Sequence, residues 1–243
     1  MRVSILLFLS VFAGSVVSGC ADAETAQAPR ELASAGSETI LSAGFVISHH
    51  VFNSELMAPY DILHHTIFRD PDRYVEPFVV SADGLPVETY EGISVQPHFS
   101  FATAPFPDIL VIPSTEGSMD RDLADPVYMA WVTEAVKRAT WVITLCDGTF
   151  PLAATGVLDG RVATTFPGDR DAFREAFPSV DVQYDARFVV DGKYITSVGG
   201  GMSYEPALYL VETLYGKADA DLTAEGLVWT WDLDSVPHMV AAP

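Results

Sequence analysis

The sequence predicts a three-layer α/β/α sandwich around a mostly parallel sheet. Three observations lead there. The runs at 40–47, 75–81, 109–113 and 141–145 are short and mainly apolar, as strands buried on both faces are. Segments with helical spacing stand between them. Glycine, proline and aspartate punctuate the junctions.

The elements follow in order. Residues 40–47 form the first strand. Leu56, Tyr60, Leu63 and Ile67 recur at helical spacing across 54–68. Pro59 cannot donate to the carbonyl of Glu55, which makes that backbone irregular or barely helical. A second strand covers 75–81. After the Asp83-Gly84 turn, 87–90 and 93–96 read as minor strands. Pro107-Asp108 precedes the buried run 109–113. Asp125-Pro126 opens a helix reaching Arg138, with proline at its first position. Residues 141–145 are another apolar strand, followed by a helix over about 148–157. Residues 188–195 form a hairpin with Asp191-Gly192 at its tip. The last long helix, 204–215, stops at Gly216.

The chain of 243 residues carries 33 acidic and 13 basic side chains, a formal charge of −20. Such a surface repels phosphates and argues against a nucleic-acid partner. The N-terminus differs from the rest. Arg2, an apolar run to Val17 and the closing Val17-Ser18-Gly19-Cys20 form a secretory leader, too short for a spanning helix. The closing residues resemble a bacterial lipobox. Residues 1–19 are then a signal peptide, Cys20 carries the lipid, and 20–37 are a small, polar tether. The folded domain occupies 38–243. The expected location is the cell envelope, with the lipid as the only membrane contact; plain secretion is the alternative.

Cys20 and Cys146 are the two cysteines. With Cys20 lipidated, Cys146 has no partner, and without a CxxC pair a zinc ribbon or thioredoxin motif is excluded. Strand 141–145 runs directly into Cys146, with Gly148 two residues later and a helix beyond, the arrangement of a nucleophile elbow. The helix N-terminus is expected to favour thiolate and to help hold an oxyanion. A buried structural cysteine is the alternative.

Several segments resemble the ThiJ/PfpI family of the class I glutamine amidotransferase-like superfamily. They are residues 107–113, the cysteine elbow, residues 156–165 (Gly-Val-Leu-Asp-Gly-Arg-Val-Ala-Thr-Thr), residues 195–201 (Ile-Thr-Ser-Val-Gly-Gly-Gly) and residues 51–63 around Glu55. The resemblance spans about 40–216 and lies nearest to isonitrile hydratase-like members. It implies a flavodoxin-like fold, a Cys146 nucleophile and Glu55 as its proton partner. It places Asp147, Ser114, Thr115, Thr165 and Ser197 around the pocket, with backbone N–H groups near Ser114 and Asp147 holding an anion. It also implies a possible homodimer.

Three positions depart from the family. Phe166 follows Thr164-Thr165 where hydrolytic members carry histidine, so no Cys-His-acid triad forms there. Ser114-Thr115 replaces Gly-Gly. Asp147 sets a negative charge beside the thiol and opposes its ionisation. His50 is a candidate surrogate base. A His49/His50 metal site is disfavoured because adjacent side chains point apart in extended chain, so no metal or cofactor is expected. The glycines 199–201 lack the lysine and spacing of a phosphate loop and let the chain pass close to the cysteine. Trp229 and Trp231, at strand spacing, are expected to cover an apolar face or a partner subunit. The reading is a cysteine-dependent enzyme, hydratase- or hydrolase-like, acting on a small electrophile. A non-catalytic metabolite-binding or cysteine-oxidation sensor remains the alternative.

Overall fold

The computed structural model describes residues 40–242, so the leader, Cys20 and the tether lie outside the described residues. Twelve strands are β1 Leu41–Val46, β2 Val75–Ser81, β3 Val87–Glu88, β4 Ser94–Val95, β5 Phe99–Ser100, β6 Ile109–Ile112, β7 Trp141–Leu145, β8 Val162–Ala163, β9 Asp181–Val182, β10 Phe188–Asp191, β11 Tyr194–Ser197 and β12 His238–Val240. Seven α-helices are α1 Asn53–His65, α2 Arg121–Ala124, α3 Pro126–Arg138, α4 Thr149–Ala154, α5 Arg170–Ala176, α6 Tyr204–Tyr215 and α7 Lys217–Gly226.

Eight strands form the main sheet in the order β12-β10-β11-β7-β6-β1-β2-β5. Every neighbouring pair is parallel except β10–β11, the hairpin expected at 188–195. The period of two along each strand sends alternate side chains to opposite faces. Ala43, Phe45, Ile109, Val111, Ile143 and Leu145 meet α1, α6 and α7. Val46, Leu110, Ile112 and Val142 meet α3 and residues of α4 and α5. The sheet is therefore buried on both sides, and the three-layer α/β architecture read from the sequence is the one found.

Strands β2 and β7 and helix α6 begin and end where the sequence placed them. Three other expectations are corrected. Helix α1 runs unbroken through Pro59. Its packing through Leu56, Ile62 and Leu63 against the sheet outweighs one lost backbone bond. The expected helix over 148–157 is shorter, because residues 146–148 form a 3₁₀ turn and α4 ends at Ala154. The tail tryptophans do cover an apolar face, as one expectation had it, but from coil and not from a strand. Trp231 is buried and its indole donates to Glu212 Oε2 at 2.6 Å, while Trp229 stacks on Tyr204 with ring centres 5.0 Å apart. Both pack on this chain's own α6.

Strand β7 and its turn lie so close to β6 that Gly148 has no room for a side chain: a Cβ there would overlap the Ile112 carbonyl oxygen. Backbone cannot swing aside as a flexible side chain can. Gly148→Ala is expected to cost about 3 kcal/mol, read as a lowered urea midpoint with an unchanged slope. A midpoint at the wild-type value would show that the two strand ends are free to separate.

Candidate active site

Strand β7 arrives extended at Leu145, and Cys146 then takes φ +52°. A left-handed residue other than glycine costs about 1–2 kcal/mol. The surroundings hold it there. The Cys146 carbonyl accepts from Thr149 Oγ1 at 3.0 Å, and Thr165 Oγ1 stands 2.9 Å away. Thr149 Oγ1 is itself fixed 2.7 Å from Thr144 Oγ1 on β7. The elbow expected from the sequence is thus present, with its bend locked by buried hydroxyls.

Glu55, in the first turn of α1, is 4% exposed. Its Oε2 accepts the Ser114 N–H at 2.9 Å, and its Oε1 accepts the Gly200 N–H at 3.2 Å. The carboxyl also lies close enough to the Cys146 thiol for each to bear on the other's ionisation. The chain after β11 makes this possible. Gly199 has φ +72°, and a Cβ there would stand 2.7 Å from Cys146 N and 2.8 Å from Glu55 Oε1. Only glycine fits at that crossing. Burial raises the Glu55 pKa to about 7, while the two backbone donors and the thiol hold it back.

The thiol behaves differently from the expectation. Burial, then the Glu55 and Asp147 carboxylates, push its pKa upward; the Asp147 N–H and the Ser114 hydroxyl oppose this and do not win. The helix-terminus argument fails here because α4 has only six residues and follows a 3₁₀ turn, while the sulfur is 7% exposed among carboxyls. Cys146 is therefore held as a neutral thiol, which donates to Asp147 Oδ2 at 3.6 Å. Asp147 is raised to about 6, chiefly by burial and then by the nearby Asp169 carboxylate, against the Thr165 hydroxyl.

The other predicted residues divide into two groups. Ser114 and Thr165 reach the centre, Thr165 Oγ1 lying 3.0 Å from Asp147 Oδ1. The Ser114 N–H is not free for an anion, because Glu55 already occupies it. The Asp147 N–H does face the sulfur. Thr115 and Ser197 work behind the site: Thr115 Oγ1 donates to Asp122 Oδ2 at 2.5 Å, and Ser197 Oγ donates to the Thr144 carbonyl at 3.0 Å. His49 and His50 do not point apart. His50 adopts φ +63°, so the rings stack with centres 4.0 Å apart, and His50 Nδ1 meets Glu116 Oε2 at 2.5 Å. Among the described residues no group of three or more histidine, cysteine, aspartate or glutamate side chains is arranged to hold a metal ion.

Asp169 was missed by sequence reasoning. It precedes α5 at the N-cap position, yet its side chain caps nothing. Instead it lies within hydrogen-bonding reach of Asp147. Its neighbour Arg170 fixes the local chain by donating to the carbonyls of Tyr184 at 2.5 Å and Ala186 at 3.0 Å. No signal in the sequence marked it, since an aspartate before a short helix is an ordinary cap residue.

Comparison with known proteins agrees with this geometry. The family model of the DJ-1/PfpI family matches residues 42–213. Isonitrile hydratase of Pseudomonas putida is 28% identical over 183 residues, 75% of each chain. The HTH-type transcriptional regulator CdhR of Pseudomonas aeruginosa is 31% identical over 150 residues, covering 62% of this chain and 44% of the regulator. Among solved structures, a ThiJ/PfpI family protein from Pseudomonas syringae superposes with TM-score 0.71 at 20% identity, over 84% of each chain. Drosophila melanogaster DJ-1beta gives 0.68 at 22% identity, over 79% of this chain and all of that one. A family model that matches most of the folded residues means that this chain belongs to the DJ-1/PfpI family.

Proposed function

We propose that the chain is a cysteine-dependent hydratase that adds water to a small carbon–nitrogen electrophile, of which an isonitrile is the model. The observation that carries this reading is the Glu55 carboxyl, buried against a neutral thiol and titrating near 7. A hydrolase must protonate a departing group. Addition of S–H across an isonitrile carbon expels nothing and needs one proton carrier. Glu55 takes the Sγ proton as the sulfur–carbon bond forms, then gives that proton to the same carbon, leaving a thioimidate on Cys146. Water adds to the carbon–nitrogen double bond, and collapse of the adduct releases a formamide and restores the thiol. A group with pKa near 7 is poised for both directions of that transfer. The absence of histidine after Thr165 is then no obstacle.

The sensor alternative gains less. Reversible oxidation starts from thiolate, and the carboxyls around Cys146 disfavour that form. A location in the cell envelope rests on residues 1–20 alone and is proposed on that basis. Among the described residues no helix is long and apolar enough to cross a membrane.

Purified protein is expected to convert cyclohexyl isocyanide to N-cyclohexylformamide, followed by mass spectrometry. Cys146→Ala should fall to background and Glu55→Gln by about 100-fold or more. Turnover that survives Cys146→Ala would refute the mechanism.

The same carboxyl predicts a pH signature. Its folded pKa, about 7, lies above its ordinary 4.5. The stability it contributes is complete below 4.5 and is lost as pH rises through 7. Between pH 5 and 8 the wild-type protein should therefore lose roughly 3 kcal/mol relative to Glu55→Gln, measured by urea unfolding. On the acid side, kcat/KM should fall as Glu55 takes up its proton. A stability difference independent of pH would place Glu55 in contact with water.

For the anchor, protein expressed in a bacterial host with its own leader should enter the detergent-rich phase of a Triton X-114 separation. Cys20→Ala should move it to the aqueous phase, and unchanged partition would exclude lipid on that thiol.

A further inference from the structure

Addition of water to a thioimidate sets a requirement that one carboxyl cannot meet. The nitrogen must gain a proton while the water loses one. Glu55, having given its proton to carbon, is the base for the water. A second group must carry the proton destined for nitrogen. Three structural facts single out one candidate. Asp147 contacts the reacting sulfur directly, at 3.6 Å. The Thr165 hydroxyl fixes its other oxygen at 3.0 Å. Asp169 makes no cap hydrogen bond and lies beside the same carboxyl, and among the described residues no salt bridge reaches either. Arg170, next in the chain to Asp169, is committed to the carbonyls of Tyr184 and Ala186 and to Thr164 Oγ1. A carboxyl with a second carboxyl beside it holds its own proton more readily.

We propose that Asp147, paired with Asp169, is the second acid of the site, delivering its proton to the substrate nitrogen as water adds. This rests on the hydratase reading and extends it. Asp147 is the catalytic member, since it touches the reacting atom; Asp169 is a positioning residue acting through it. The protons balance. Water gives one proton to Glu55 and its hydroxyl to the carbon, and the pair protonates nitrogen. On collapse the carbon–sulfur bond breaks and the new hydroxyl becomes the carbonyl. Its proton returns to the pair, and the sulfur recovers the proton held by Glu55. The groups facing Asp147 are Asp169, Thr165 and Cys146, with Glu55 across the sulfur.

The test uses full-length protein with cyclohexyl isocyanide. Asp147→Asn should still form the sulfur–carbon bond, so intact-protein mass spectrometry should show one isocyanide adduct accumulating on Cys146. Turnover should fall about 100-fold. Wild-type kcat/KM should be bell-shaped with limbs near 6 and 7, the values set by Asp147 and Glu55. In Asp147→Asn the alkaline limb should vanish. Asp169→Asn should move that region to lower pH by removing the neighbouring charge, and Asp169→Glu should restore it. Iodoacetamide alkylation of Cys146 gives a readout without substrate: Asp147→Asn should react faster at pH 7. Unchanged turnover, an absent adduct or an alkylation rate equal to wild type would overturn the pair's role. Wild-type protein that neither turns over nor forms an adduct, yet shows the altered alkylation in Asp147→Asn, would overturn the hydratase reading and the nitrogen-directed role, and leave the carboxyl–sulfur contact standing.

Discussion

The Glu55 carboxyl is held by two backbone N–H groups that belong to different crossings of the chain. Ser114 follows β6, and Gly200 follows β11. A buried carboxyl without donors would be too costly to keep, so these two peptides must stay where they are. Around them the remaining geometry is constrained. Gly199 has to pass within van der Waals contact of Cys146, and Gly148 has to lie against Ile112. The sulfur cannot shift without displacing one of these crossings. One polar contact between α1 and the ends of two strands thus fixes where chemistry can happen.

Electrostatics in the site run against the usual route to cysteine reactivity. Most reactive thiols are made acidic by cations or a long helix. Here the charged neighbours are carboxyls, and the thiol is kept neutral. The reactivity available to such a thiol is concerted: bond formation and proton removal occur together, with the base in contact. The Glu55 carboxyl, which burial brings to about 7 from its ordinary 4.5, is suited to that role. The same requirement favours additions over displacements.

Much of this was legible in the sequence. Mainly apolar runs located the central strands because burial on both faces favours apolar side chains, and the run into Cys146 marked the elbow. Glu55 was legible only through family resemblance, since an acid in a first helical turn has an ordinary explanation. The sign of the thiol's pKa shift was not legible, because it depends on burial and on the approach of Glu55 across 91 residues of sequence. Asp169 was hidden for a similar reason. Its partner lies on the other side of β8, and its local context suggested a cap. The stacking of His49 on His50 depended on a left-handed backbone that no pattern announced.

The two borders of the main sheet have a separate consequence. One is β5, two residues long; the other is β12, three residues long. So short a border offers a visiting extended peptide few unsatisfied amides, and lateral growth of the sheet finds little template. The strongly acidic surface adds mutual repulsion between copies. The fold thereby resists the commonest route by which β-rich proteins aggregate.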